Sequence, residues 1–390
     1  MCDYLDFHFQ NKDDRKNVET KTWKHFDILL FFAVLGLLSF GIAAIYSATF
    51  PYTSDSTMSM SWNSPVARQI TFAFLGLTLM VLVAGTDYQL YNNNVVLIVY
   101  IASILSLIAV FLAGAEAYGA RRWIDVGFTQ IQPSELAKVG TILALAKFFS
   151  DREESCSELK VMLASLVIPA IPAILTYIQP DLGTASLFGV IWLGMAIMAG
   201  VKPIYIGLLI SLGIMALPAV YMFLLEPYMQ ERLAAFLDPT KDPLGSGYNI
   251  IQSEIGVGSG GLLGKGFLNG TQSRLEFLRV QNTDFIFSVL GEELGFVGAL
   301  VLFSLFMLLL FRALRGAMVS KDAFGRMISI GVVMLIMSQA FVNIGVNVRL
   351  IPVTGITLPL VSSGGTSLIS ILIMLGMVQS IIMRHEKLKF

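Results

Sequence analysis

Long apolar runs separated by short polar breaks dominate this chain. Windows of about 19 residues pick out ten runs able to cross a bilayer as helices. They lie near residues 27–48, 68–86, 94–113, 134–150, 160–178, 183–200, 204–225, 285–311, 326–347 and 365–383. The pattern predicts an all-α polytopic membrane protein of about ten transmembrane helices, with one long loop, about 226–283, between the seventh and eighth. A connection of that length is far outside the usual range and commonly carries function. The first run follows Lys12, Arg15, Lys16, Lys21 and Lys24 and has no small-residue cleavage site, so it reads as an anchor rather than a removable signal. The expected organisation is a tail over 1–26, a single membrane domain over 27–383 and a second tail over 384–390.

An even number of spans puts both tails on one side, together with roughly sixteen Lys and Arg residues against roughly nine opposite, which predicts cytoplasmic termini. The segments 114–133, 226–283 and 348–364 then share the outer face. Composition agrees with the class: 55% of residues are hydrophobic, 14% are charged, and the mean hydropathy is +0.74, beyond the range of a soluble domain. With 26 basic and 27 acidic residues and no basic tract interleaved with aromatics, nucleic acid is not an expected partner. Cys2, Cys156, His8, His25 and His385 are too scattered for a disulfide framework or a zinc cage.

The informative residues are the polar ones that interrupt this pattern. Asp284, in Asn282-Thr283-Asp284-Phe285-Ile286-Phe287, stands where the long loop meets the eighth run. A carboxylate at a membrane boundary is costly to keep and marks a site handling protons, ions or a polar substrate group. A helix N-terminus there favours the ionised form, whereas the two phenylalanines favour the neutral acid. Glu292 and Glu293 follow about 12–14 Å further along the helix and are expected to be structural.

Four other constellations each carry a structural and a functional reading. Arg121-Arg122-Trp123 leads through Gln132-Pro133-Ser134-Glu135 to Lys138. Glu135 and Lys138 share a helical face and can form a packing ion pair; with Arg121 and Arg122 they can instead line a cationic groove for a phosphate-bearing headgroup. In Gln179-Pro180-Asp181-Leu182-Gly183, Asp181 either caps a helix or orients substrate or metal. Gln339, Asn343 and Asn347 recur every four residues as one polar stripe, read first as interhelical glue, and lead to Arg349 and the glycine- and proline-rich 352–367 segment. The glycine-rich run from Gly256 to Gly266 lacks the spacing of a nucleotide-binding loop; it reads first as a plain mobile loop, and Lys265 within it and Arg274 beyond it can still cradle a diphosphate.

Taken in order, Arg122-Trp123-Ile124, Gln132-Pro133-Ser134-Glu135, Gln179-Pro180-Asp181-Leu182-Gly183, Thr283-Asp284-Phe285-Ile286-Phe287 and Gly364-Gly365-Thr366-Ser367 resemble the SEDS family (shape, elongation, division and sporulation) of bacterial membrane glycosyltransferases over nearly the whole chain. Pro352-Val353-Thr354-Gly355 looks more like the family's elongation branch than its division branch, where Pro-Thr-Lys-Gly is usual. The resemblance implies a ten-helix protein of the bacterial plasma membrane that polymerises lipid II into glycan strands at the outer leaflet. It also implies a class B penicillin-binding protein and other elongation-complex proteins as partners, with Asp284 as the catalytic residue. The expected substrate-binding set is Arg121, Arg122, Trp123, Gln132, Ser134, Glu135, Lys138, Asp181, Lys265, Arg274, Thr283 and Arg349.

The sequence departs from the family pattern at Arg279-Val280, where Pro-Glu is frequent, at Asn282 (His), Ser363 (Tyr) and Gln130 (a basic residue). No role is carried over to these positions.

On this reading Asp284 takes the proton of the acceptor sugar hydroxyl, worth on the order of a hundredfold or more. The donor is the strand held on undecaprenyl diphosphate, and inversion needs a single displacement. Arg121, Arg122, Lys265, Arg349 or a divalent cation (Mg or Mn) held with the diphosphate would neutralise the leaving group. No cofactor is fixed by the sequence. Two rival functions remain: transport of lipid II or an ion, weakened by the lack of a visible inverted repeat, and a non-catalytic scaffold for cell-wall enzymes.

Overall fold

The computed structural model describes residues 23–49, 64–92, 94–117, 120–125, 127, 130–223, 225–275, 277–278 and 280–385. Most of the N-terminal tail, Arg279 and the end of the C-terminal tail lie outside these residues, as does the side chain of Arg121. Each apolar run forms a helix, because a chain in hydrocarbon must satisfy its own backbone polar groups. In order these are α1 (Ile28–Thr49), α2 (Pro65–Gly85), α3 (Asn94–Ala113), α4 (Pro133–Ser150), α5 (Leu159–Ile178), α6 (Leu182–Met198) and α7 (Pro203–Phe223). After α7 the connection folds into α8 (Pro227–Leu237), α9 (Tyr248–Ser259) and a single turn, α10 (Thr271–Arg274); then come α11 (Ile286–Val319), α12 (Ala323–Asn347) and α13 (Gly365–Met383).

The long connection expected between the seventh and eighth spans is present, and it is partly helical. The 114–133 segment is also structured: β1 (Ala115–Ala117), β2 (Ala120–Asp125) and β3 (Gln130–Ile131) form an antiparallel sheet, with Ala115 opposite Trp123 and Ile124 opposite Ile131.

Eight of these helices are long and apolar enough to cross a membrane among the described residues. The other two predicted spans are α6, which is shorter, and α4, which carries Glu135, Lys138 and Lys147 but is buried along most of its length. Its charges are tolerated because protein rather than lipid surrounds them. α12 and α13 are likewise largely buried, whereas α7 buries only Ile206 and presents apolar side chains outward. At one end of the bundle, buried Asp27 caps α1 through the Leu30 amide (3.1 Å) and pairs with Arg312 and Arg315 of α11.

Helix α11 extends beyond the predicted span of 285–311 and is broken. Its 34 residues would measure about 51 Å, far more than a hydrocarbon core of about 30 Å. Gly295 interrupts it with φ 63° and ψ −160°. Below the break, roughly 24 residues from Phe296 to Val319 suffice to span; above it, 286–294 is a short helix buried in protein. The glycine-rich segment closes the gap: Lys265 and Gly266 amides donate to the Glu292 and Glu293 carbonyls (3.0 and 2.9 Å), and the Phe296 and Val297 amides donate to Gly261 and Leu262 (2.9 and 3.1 Å). These bonds replace the helical ones lost at the break.

The backbone at Gly295 is accessible essentially to glycine alone, and a Cβ there would lie 2.3 Å from the Gly264 nitrogen. Gly295→Ala is expected to destabilise the protein by more than about 2 kcal/mol. The check is thermal unfolding in detergent, where an unchanged midpoint would contradict this role for the break.

Candidate active site

Segments far apart in sequence enclose one cavity of about 410 Å³. Strand β2 and the entry to α4 contribute Arg122, Trp123 and Gln132; the turn between α5 and α6 contributes Asp181; and the approach to α11 contributes Thr283 and Asp284. The connection between α12 and α13 supplies Gly355, Thr357, Ser363 and Gly364, the first turn of α13 supplies residues 365–367, and α8 supplies Arg232.

Arg122 is anchored rather than free to wander. Its Nε donates to the Gln179 carbonyl (3.0 Å), its guanidinium also bonds the Pro180 carbonyl, and Nη1 stands 3.8 Å from Asp181. Asp181 serves two purposes at once. It caps α6, accepting from the Thr184 amide and hydroxyl (both 3.0 Å), and it presents a carboxylate to the cavity beside Arg122. The capping reading is realised, and the same geometry leaves the carboxylate on the cavity wall.

Asp284 is half-buried at the cavity wall, next to the buried Phe285 and Phe287. Burial pushes its carboxyl above the ordinary aspartate value; a hydrogen bond from Thr283 and the charges of Arg232 and Arg122 pull it down, and Asp181 pushes it further up. The net shift is upward, so desolvation outweighs the cations. Gly355 (φ 76°) brings bare backbone to the carboxylate: a Cβ there would lie 3.8 Å from Asp284 Oδ2. The Thr283 carbonyl is held by the Ser362 hydroxyl (2.6 Å), which ties the approach of α11 to the opposite wall.

Two further cavities adjoin the first and share Arg122 and Arg232 with it. One, of about 520 Å³, includes Glu226, Tyr228 and Glu231; the other, of about 230 Å³, is lined mainly by apolar side chains such as Leu182, Leu225, Met229 and Leu233. Tyr228 donates to the Pro180 carbonyl (2.8 Å), and burial raises its pKa, so it stays a neutral donor. Arg232 and Tyr228 are the residues sequence reasoning missed. Met229, Leu233 and Phe236 recur at helical spacing around Arg232, an amphipathic signal hidden inside a segment read as loop.

Several expected substrate contacts lie elsewhere. Lys138 is buried and pairs with Glu135 at 2.8 Å, about 9 Å along α4 from Gln132, so this pair fits the packing reading; the Ser134 hydroxyl beside it is buried too. Lys265, Arg274 and Arg349 do not line the cavity. Lys265 is held 2.7 Å from Glu292, a buried carboxylate that also accepts from the Thr271 and Gln272 amides, and Arg349 faces Glu254 at 3.4 Å. Arg274 ends the α10 turn. Glu292 needs its cation to stay charged in a buried place, which is why the lysine is drawn to the helix break. Glu293, bonded by Ser47, is likewise structural.

The family model described as cell cycle protein, FtsW/RodA/SpoVE, matches residues 28–387. This chain belongs to the FtsW/RodA/SpoVE family. Escherichia coli (strain K12) peptidoglycan glycosyltransferase MrdB is 40% identical over 357 residues, covering 92% of this chain and 93% of the relative. Among solved structures, a chain from work on structural coordination of polymerization and crosslinking by a peptidoglycan synthase complex is 33% identical, with a TM-score of 0.76 over 92% of this chain and 97% of that one. The Thermus thermophilus rod shape determining protein RodA is 29% identical, with a TM-score of 0.68 over 93% and 98% of the two chains. Three of the positions where this FtsW/RodA/SpoVE member departs from the pattern, Gln130, Val280 and Ser363, line the Asp284 cavity.

No three His, Cys, Asp or Glu residues among those described converge as a metal site. Asp181 and Asp284 are the two carboxylates of the cavity wall. A divalent cation there would take its remaining ligands from a substrate diphosphate and water, as Mg commonly does.

Proposed function

We propose that this chain is a peptidoglycan glycosyltransferase that polymerises lipid II into glycan strands during cell elongation, with Asp284 as the general base. One observation carries the reading. A carboxylate with a raised pKa and two guanidiniums, Arg122 and Arg232, line one cavity, and a mainly apolar pocket meets it at the same two guanidiniums. That arrangement suits a substrate with a lipid chain, a diphosphate and a sugar.

Asp284 accepts the proton of the GlcNAc 4-hydroxyl of incoming lipid II as its oxygen attacks the anomeric carbon of the strand. The bond from that carbon to undecaprenyl diphosphate breaks, and the leaving diphosphate departs as an anion neutralised by Arg122 and Arg232. A divalent cation bound with the diphosphate would add positive charge at the same place. The basic-residue bias supports a multi-pass protein of the bacterial plasma membrane with both tails cytoplasmic and the cavity outside. In this reading 27–383 form one membrane domain, and a class B penicillin-binding protein of the elongation complex crosslinks the product.

Full-length protein in vesicles with fluorescent lipid II, alone and with its transpeptidase partner, tests the reading. Polymer is the expected product. Lipid II translocation without polymer would favour a flippase instead, and neither product under both conditions would contradict the reading and match what a scaffold predicts.

A further inference from the structure

The polar stripe of α12 meets the chain at Asp284 itself. The Asp284 carbonyl accepts two hydrogen bonds, from Asn343 Nδ2 (3.1 Å) and Asn347 Nδ2 (2.9 Å). Asn347 also faces the other way: its Oδ1 accepts from the Ser288 amide (3.0 Å) and the Ser288 hydroxyl (2.6 Å). Ser288 is the third residue of α11, and its amide is a first-turn donor with no carbonyl four residues back inside the helix; it is shared between the Phe285 carbonyl (3.1 Å) and Asn347 Oδ1. The residue at the capping position, Phe285, has no side-chain oxygen and makes no cap bond. Asn347 thus does from α12 what an Asn at the capping position would do within α11.

Asn343 adds a second tie. The same amide that holds the Asp284 carbonyl also donates to the Ile356 carbonyl (2.8 Å), between Gly355 and Thr357 of the cavity wall. Asn343, Asn347, Ser288 and Ile356 are buried, where an unmatched polar atom is costly, so the geometry is strongly specified.

We propose that Asn343 and Asn347 are positioning residues: they cap α11 from a neighbouring helix and set Asp284 at a fixed distance from the Gly355 wall. The proposal rests on Asp284 being the catalytic carboxylate. Removing either amide leaves the carboxylate in the cavity but loosens its peptide, and a misplacement of about 1 Å can cost about a hundredfold in rate.

The test compares Asn347→Ala and Asn343→Ala with Ser253→Ala in strand synthesis by the full chain with its transpeptidase partner. Ser253 belongs to the same buried cluster, donating to the Asn347 backbone carbonyl (3.0 Å) and bonding the Ser288 hydroxyl, but it does not touch Asp284. Expected is a fall in kcat of about tenfold to a hundredfold for each asparagine variant, with KM for lipid II changed less than about threefold. Ser253→Ala should keep kcat within about twofold even where its unfolding midpoint drops as far as theirs.

A kcat in both asparagine variants equal to wild type, or one that falls equally in Ser253→Ala, would overturn the proposal. Asn347→Gln or Asn343→Gln, read beside the alanine variants, guards against simple misfolding: recovery of kcat in step with the folded fraction alone counts against positioning. Loss of the Asp284 reading shows up separately, as full activity in Asp284→Asn.

Discussion

Asp284→Asn is expected to reduce strand synthesis by about a hundredfold to ten-thousandfold while leaving the fold at least as stable as wild type. The rate term follows from losing a positioned base, since an amide occupies the same space and cannot accept the sugar proton. The stability term has the opposite sign. The folded-state pKa of Asp284 lies above its unfolded value, so its contribution to stability is complete below the unfolded pKa and is lost as pH rises through the folded one. Above the folded-state pKa the ionised carboxylate works against the fold, and a neutral amide removes that penalty. Turnover with labelled lipid II and thermal unfolding of the same preparation check the two halves together. A variant that lost activity by unfolding would not support a catalytic role.

Arg232→Ala is the second large effect. A guanidinium facing a diphosphate makes charge-assisted hydrogen bonds worth about 1.5–3 kcal/mol, which corresponds to a loss of roughly tenfold to a hundredfold in kcat/KM. Arg232 sits on the exposed face of α8, and its hydrogen bond to the protein is a long one, 3.4 Å to the Val353 carbonyl. Its removal should therefore leave the unfolding midpoint nearly unchanged. Arg122 contrasts with it. Its bonds to Gln179 and Pro180 hold the α5–α6 turn, so Arg122→Ala mixes stability with chemistry, and Arg122→Lys, which keeps the charge but loses the planar fork, is the cleaner probe. Steady-state kinetics at several salt concentrations check both. An Arg232→Ala enzyme with unaltered kcat/KM would remove α8 from the site.

What the sequence made legible tracks how local each signal is. The spans were readable because apolar runs of bilayer length have few alternatives, and Asp284, Arg122 and Asp181 stood out because polar groups interrupt those runs. The break at Gly295 was not readable, since Glu-Leu-Gly-Phe-Val reads as continuous helix until the glycine-rich segment supplies the missing hydrogen bonds from about thirty positions away in the chain. The same long-range pairing drew Lys265 to Glu292 and away from the cavity. The amide stripe was visible as a stripe, and Asn343 and Asn347 do bond across to neighbouring segments whereas the buried Gln339 Oε1 does not, but their target, the Asp284 carbonyl, is set by how α12 packs on α11. Arg232 was hidden because polarity alone does not separate a surface helix from a loop.

The measurement that bears most directly on the central claim is the pH dependence of kcat/KM for strand synthesis by the full chain with its transpeptidase partner. The raised pKa of Asp284 predicts a rate that falls on the acid side as one carboxyl titrates above the ordinary aspartate range, near 3.8, and an acid limb that is absent from the residual activity of Asp284→Asn. A rate that stays flat down to the ordinary aspartate range, or the same acid limb in Asp284→Asn, would contradict Asp284 as the base.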